Sequence, residues 1–418
     1  AYDRFLKEKG FQKSFPTVDH LTKAMGNVSF YYQGRIIENI RISNTVDAYA
    51  VNGWESMKLE NHSGIVDNYR FPKGDVELLA KYNEPLFLAV KLNKKVLGIG
   101  DTTMVDTYIV NEKNLQGTFI LELTAKDEAG NVIDCFRKRV KVNGKLEYGQ
   151  CLQTGWNFIP QTKGYTTIEA TLLKGNKIIT QGTDQLFAVK LDAQGITTNG
   201  SIADTTGMLA NFLRGAGLEV PVYKEGTPQG EYLLVGAFEP TQWGSGMSDI
   251  MEWVYKGHTL IIVDNPERWA EFLSDKEVLE YRGSKELGKS WYGGNFFNRE
   301  HPLFEGLPVD CAFNWEYQCF ATYNRRRIGL RCENGETIVG CVSDHKKEVY
   351  SALQIIPAGS GRVIITTLDI PACIKDIPAY IEPVDIDGMN ESMNTFNNQS
   401  ENKANIVGQK LLLNMLKY

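Results

Sequence analysis

The chain has 418 residues, 42% hydrophobic and 11% aromatic, enough to bury two or three separate cores. Lys and Arg number 45 against 51 Asp and Glu, and the resulting charge of −6 offers no basic footprint for nucleic acid. No apolar run approaches the ~20 residues that span a bilayer. The seven cysteines, odd in number and without CxxC pairs, argue against a zinc site or a disulfide framework and read as mostly buried thiols with at most one bridge.

The first region, residues 1–84, reads as helical with one strand. It opens on Ala1-Tyr2-Asp3-Arg4-Phe5-Leu6, the inside of a helix without an initiator Met or a signal peptide, so a C-terminal part of a longer protein is expected. Leu21, Met25, Ile36, Ile37 and Ile40 recur at helical spacing. An apolar strand over Ala48–Val51 then delivers Asn52, Trp54 and Glu55 to its C-terminal end, followed by Glu60, Asn61, His62 and Asp67. An indole beside carboxylates suits a sugar, whose C–H face packs on the ring while its hydroxyls meet the acids. The competing reading is a core Trp with solvated loop charges. A short helix over Asp75–Tyr82 closes the region, and its apolar face has too few partners within residues 1–84.

Together Gly34–Ile42, Tyr49–Glu55, Gly64-Ile65-Val66-Asp67, Arg70, Pro72 and Asp75–Tyr82 make residues 17–83 resemble the end of the catalytic barrel in glycoside hydrolase family 2. That is the family of β-galactosidases and β-glucuronidases, and the likeness is strongest to gut-bacterial, multidomain members. The resemblance implies a partial TIM-barrel end, with Trp54 as a sugar-stacking wall, Glu55 as a hydroxyl-binding neighbour and Glu60, Asn61, His62 and Asp67 along the rim loop. A β/α barrel takes about 250 residues, and a retaining glycosidase needs two carboxylates roughly 5 Å apart. In the resembled family both lie upstream of the matched stretch, so no catalytic residue is expected here and the chain alone should be inactive. The resemblance also favours a periplasmic or secreted bacterial protein.

Residues 85–190 read as an all-β, immunoglobulin-like sandwich, with about seven short strands between turn signals. Those runs are Leu86–Leu92, Met104–Val110, Phe119–Ala125, Val132–Val142, Tyr165–Leu173, Ile178–Gln181 and Leu186–Leu191. Structural support is the default role, with a carbohydrate-binding surface through Trp156 as the alternative.

Residues 191–418 alternate helix and strand and read as a doubly wound, flavodoxin-like α/β layer, with Phe187–Leu191 as its first strand. Buried strands are expected at Tyr232–Gly236 and His258–Asp264, and helices at Thr205–Leu213, Met247–Tyr255, Pro266–Leu279 and Ala404–Leu416. Leu233–Gly236 leading into a loop, with His301-Pro302-Leu303-Phe304-Glu305-Gly306-Leu307-Pro308, resembles the class I glutamine-amidotransferase-like fold. That fold also occurs as a non-catalytic module in several glycosidases. The elbow after Val235 carries Gly236, Ala237, Phe238 and Glu239 rather than Cys or Ser, and the lone His258 and His301 read as structural, against hydrolytic chemistry here.

Weaker signals fill the same region. Gly195–Gly200 matches no phosphate-binding fingerprint. Arg325-Arg326-Arg327 with Tyr323 reads as a solvated basic turn before it reads as an anion grip. Asp385, Asp387 and Glu391 lack a full calcium-loop spacing, and residues 388–403 read as a mobile loop. No metal or cofactor is called for. The function expected is the C-terminal portion of an exo-glycosidase on β-linked sugars, with the α/β domain for support or homo-oligomerisation. The rival is a non-catalytic carbohydrate-binding or oligomerisation module.

Overall fold

The fold is known from a computed structural model. The structure describes residues 1–46, 48–51, 53–56, 64–144, 147–243, 246–287, 296–321, 325–343, 348–377 and 405–418. They form two compact units, Gly26–Lys190 and a second made of Ala1–Met25, Leu191–Tyr380 and Asn405–Tyr418. Helix α1 (Tyr2–Glu8) opens the chain, and α2 (Val18–Ser43) is one 26-residue helix whose residues after Met25 belong to the first of these units.

In the unit Gly26–Lys190, α3 (Glu77–Ala80) follows α2 and tightens into a 3-10 turn at Lys81–Asn83. Eight strands come next: β1 (Leu86–Leu92), β2 (Val96–Gly98), β3 (Thr103–Asn111), β4 (Gly117–Lys126), β5 (Val132–Val142), β6 (Gly149–Phe158), β7 (Gly164–Lys174) and β8 (Lys177–Val189). They make a three-stranded sheet, β1-β3-β6, and a five-stranded one, β2-β8-β7-β4-β5. Every pairing is antiparallel except β2 with β8. Period-two alternation makes the sandwich: along β4, Phe119, Leu121, Leu123 and Ala125 point inward to meet Val90, Val105 and Ile109 of the other sheet.

Gly182 of β8 sits where β1 crosses, and an added Cβ there would lie 1.7 Å from the Leu88 carbonyl oxygen. Trp156 is 9% exposed and stacks on Phe136 with centroids 6.3 Å apart. It is core, which counts against the alternative of a carbohydrate-binding surface through this residue.

The second unit contains β9 (Gly200–Ala203), α4 (Met208–Gly215), β10 (Tyr232–Val235), α5 (Gly246–Tyr255), β11 (Thr259–Ile262) and α6 (Pro266–Asp275). After these come β12 (Tyr281–Glu286), β13 (Phe296–Asn298), α7 (Gln318–Ala321), β14 (Ile328–Cys332) and β15 (Glu336–Val342). The unit ends with β16 (Val349–Ala358), β17 (Gly361–Thr366), α8 (Ile370–Ile374) and α9 (Asn405–Lys417). One nine-stranded sheet runs β12-β14-β16-β17-β11-β10-β9, with β15 also on β16 and β13 on β15.

Only β17, β11, β10 and β9 are parallel to one another. The rest pair antiparallel, so the layer is mixed rather than wholly doubly wound. The first strand of this sheet is β9, because Phe187–Val189 complete β8 of the sandwich. From β9 through β10 to β11 the chain steps one way without reversing, so the crevice that opens where strand order reverses is missing among these strands.

Phe5, Phe11 and Phe15 gather around Phe297 with centroids 6.2, 5.1 and 5.7 Å away. Ser14 donates to Asp310 at 2.6 Å, and Lys13 reaches Glu300 at 2.7 Å. Residues 1–25 therefore cluster with the α/β unit, while residues 26–84 cluster with the sandwich. The reason is the aromatic spacing, which supplies anchors for a surface formed some 280 residues later in the chain.

Candidate functional site

The stretch expected to bind sugar is held by short backbone ladders. Glu55 pairs parallel with Val66, and Val66 pairs antiparallel with Pro72. Ile65 and Val66 both donate to the Trp54 carbonyl, at 3.0 and 3.1 Å, and Lys73 donates to Ile65 at 3.1 Å. Gly64 adopts φ +79°, a left-handed conformation in which a Cβ would stand 2.5 Å from Ser56 Oγ. Ala48–Val51 forms no strand with any described residue and lies open to solvent, a correction to the expected buried strand. Its apolar side chains meet no facing layer among the described residues of this unit, and a buried strand needs one.

On this frame Trp54 is 61% exposed, Tyr69 83% and Phe71 65%, so the indole is no core residue. Glu55 faces Arg70 at 3.8 Å, a half-exposed pair of small energetic consequence. Asp67 differs. It is buried, and its Oδ1 accepts from the Tyr69 and Phe71 amides, both at 2.9 Å, while Arg70 turns left-handed at φ 66°. Its carboxylate folds the turn that carries Tyr69 and Phe71. Lys73, also buried, donates to Ser56 Oγ at 2.7 Å and ties the third rung to the first. Glu60, Asn61 and His62, with Asn52, lie outside the described residues.

A larger cluster in the same unit was not legible in the sequence. Arg35 and Glu38 of α2, Lys91 of β1, Lys95 just before β2 and Asp184 of β8 bring five charges together in the interior. Arg35 reaches Glu38 at 3.1 Å and Asp184 Oδ2 at 3.2 Å; Lys91 donates to Glu38 at 2.9 Å; Lys95 pairs with Asp184. Burial opposes ionisation of Asp184, but Arg35 and then Lys95 outweigh it and hold the carboxyl below its ordinary range. Burial, then the Arg35 charge, lowers the Lys91 ammonium to about 8 against the opposing pull of Glu38. The only sequence signal was the i,i+3 spacing of Arg35 and Glu38, which a solvated helix face shows equally.

In the other unit the arginine triplet is interior, correcting the solvated turn. Arg325 is 4% and Arg327 5% exposed. Arg325 donates from Nε to the Cys319 carbonyl at 2.8 Å and from Nη2 to Asn405 at 2.9 Å. Arg326 spans the ends of β11 and β17, reaching Asp264 at 3.0 Å and the carbonyls of Val263, Thr367 and Leu368 at 2.9–3.0 Å. The hydrogen bonds of Arg325 and Arg326 fasten distant chain segments together.

His258 stacks on Trp253 at 4.5 Å and 4°, and His301 Nδ1 accepts from the Leu303 amide, both structural placements. Gly195–Gly200 leads into β9 rather than into a helix, so no helix N-terminus stands behind it. Tyr323, Asp385, Asp387, Glu391 and residues 388–403 lie outside the described residues. Among the described residues no group of three or more His, Cys, Asp or Glu side chains could hold a metal, and no helix is long and apolar enough to cross a membrane.

No protein-family profile matches the chain, and no curated protein does. Among solved structures, the CARDB domain of a Pyrococcus furiosus protein, in complex with di-metal ions, is 15% identical, covering 25% of this chain and 94% of its own, at a TM-score of 0.21. A glycosyl hydrolase family 2 member from Bacteroides cellulosilyticus is 17% identical, covering 46% of this chain and 34% of its own, at 0.20. A β-glucuronidase of glycoside hydrolase family 2 is 13% identical over 42% of this chain and 17% of its own, at 0.21. The chain thus spans about a third or less of these two glycosidases. Superpositions this partial carry no argument about chemistry.

Proposed function

We propose that this chain is the C-terminal portion of a retaining exo-glycosidase acting on β-linked sugars, with Trp54, Tyr69 and Phe71 walling the sugar pocket. The observation that carries the reading is the exposed indole at 61%, next to Glu55 and joined through its backbone carbonyl to Ile65 and Val66, just ahead of the turn that the buried Asp67 folds. An exposed ring beside a carboxylate has the mixed apolar and polar character that a pyranose presents. Glu55 supplies a hydroxyl acceptor, and Asp67 keeps the rings in register. The bond-breaking carboxylates belong to upstream sequence in this reading. The mixed α/β unit, amidotransferase-like without a nucleophile at its elbow, serves support or self-assembly. The same exposed rings also suit a non-catalytic carbohydrate-binding module.

The test uses the protein extended upstream of Ala1. Hydrolysis of aryl β-glycosides with retained anomeric configuration is expected, with kcat/KM falling ~10–100-fold in Trp54→Ala. An active extended protein indifferent to Trp54→Ala removes the pocket assignment. An inactive one that still binds glycans through Trp54 leaves the binding module.

A further inference from the structure

The α/β unit has a cleft of about 380 Å³ that the reading above does not use. It arises from topology: β14 meets β16 at the single pair Leu330↔Ser351, and α1 lies over the place where the two strands part. Its volume falls within the range of small-molecule sites. Phe5, Leu330, Cys332, Val349 and Tyr350 give it an apolar floor.

The rim is ionic and arranged in pairs. Arg4 Nε lies 3.0 Å from Glu8 and its Nη2 3.7 Å from Glu333; Arg331 Nη2 lies 2.5 Å from Glu348 Oε1; Lys9 donates to the Glu333 carbonyl at 2.7 Å. Three cationic side chains and the Ala1 amino group line the cleft together with three carboxylates. That interleaving of opposite charges disfavours a phosphate, which would meet the carboxylates, and a cation, which would meet the guanidiniums. A neutral molecule with many hydroxyls meets neither penalty, and every rim group is a donor or an acceptor for it. Burial pushes the Cys332 thiol up to about 12, so it stays protonated and the cleft holds no thiolate nucleophile.

We propose that this cleft, between α1 and the β14–β16 junction, is a binding site for a neutral monosaccharide unit, separate from the Trp54 edge. The C–H face of the sugar lies on Phe5 and Tyr350, and its hydroxyls reach Arg4, Glu8, Glu333 and Glu348. The proposal does not rest on the glycosidase reading, because its readout is binding by the chain itself.

Saturation-transfer NMR and calorimetric titration of the 418-residue chain with D-galactose, D-glucose, D-mannose, D-glucuronate and inorganic phosphate test it. Expected is binding of at least one neutral hexose with Kd on the order of 1 mM, and weaker binding of glucuronate and phosphate. Glu348→Gln and Arg4→Gln should each weaken it ~5–10-fold, measured in a Trp54→Ala background so that the Trp54 edge contributes nothing to the signal. Both altered side chains are about half exposed or more, so the variants keep the fold, which circular dichroism checks. Absence of hexose binding overturns the proposal. So does binding that survives both rim substitutions, disappears in Trp54→Ala, or is surpassed by phosphate.

Discussion

Asp184→Asn tests whether the buried ionic cluster holds α2 to the sandwich. Asp184 is buried in β8, with Arg35 at 3.2 Å and Lys95 in contact. The amide keeps shape and volume but removes the charge, leaving Glu38 as the one carboxylate of the cluster against Arg35, Lys91 and Lys95. Breaking a buried pair by neutralising one member costs about 3–5 kcal/mol, since the remaining charges stay out of water. For segments that open with the whole unit, that corresponds to amide exchange roughly 150- to 5,000-fold faster. Hydrogen-exchange mass spectrometry on peptides from α2, β1 and β8 reads this locally. The double variant Asp184→Asn/Lys95→Met removes one stranded ammonium and should recover part of the loss. An effect below about fivefold, or a double variant in which the two losses simply add, would refute the reasoning.

The cluster also has a pH signature. Folding lowers the Lys91 ammonium from 10.5 to about 8, so between those values the unfolded chain holds a proton that the folded chain has released. Stability from this residue therefore rises with pH across that window, by at most about 3 kcal/mol, and below pH 8 the cost of the desolvated charge is fully present. Lys95 is lowered as well and reinforces the trend. Urea unfolding of the parent chain and of Lys91→Met across this window should show the rise in the parent and a flatter profile in the variant; identical slopes count against the assignment. The thiols provide a separate check. Native alkylation should modify the exposed Cys135 first and Cys151 more slowly, its thiol raised by partial burial and by Asp106, with Cys319, Cys332, Cys341 and Cys373 labelled only on unfolding. Peptide mapping that finds Cys319 or Cys373 labelled in the folded chain contradicts the burial of these two thiols.

Elements whose pattern repeats locally were legible. β1 and β5 occupy the residues expected of them, Leu86–Leu92 and Val132–Val142, because period-two alternation or a continuous apolar run needs no distant partner to be recognised. β6 escaped notice, since Gly149–Phe158 mixes Gln, Thr and Gly with Trp156 and acquires its alternation only when paired with β3. β12, reading YRGSKE, escaped for the same reason, being polar throughout and defined by its ladder with β14. The interruption at residues 190–200 was misplaced by one strand: apolar Phe187–Val189 continue β8, while the short β9 (GSIA) begins the next sheet. At the candidate site the sequence identified an accessible Trp and a nearby acid. It did not separate Glu55, which faces solvent and Arg70, from the buried Asp67, whose Oδ1 accepts from the Tyr69 and Phe71 amides.

The deepest misreading concerned charge, and its cause is general. Arg325-Arg326-Arg327 and the Arg35–Glu38 pair both look like solvated surface, because composition records a charge and not the acceptor it will find. Arg325 meets a carbonyl at residue 319 and an amide oxygen at residue 405; Arg35 meets Asp184, some 150 positions along the chain. Such partners are invisible to any window of a dozen residues. Guanidinium suits the task, since its planar fork of donors satisfies several carbonyls at once and it stays charged when desolvated, whereas a buried lysine such as Lys91 gives up part of its proton affinity. Both units thus use arginine where segments distant in sequence must be joined. The Trp54 indole, by contrast, stays exposed to solvent.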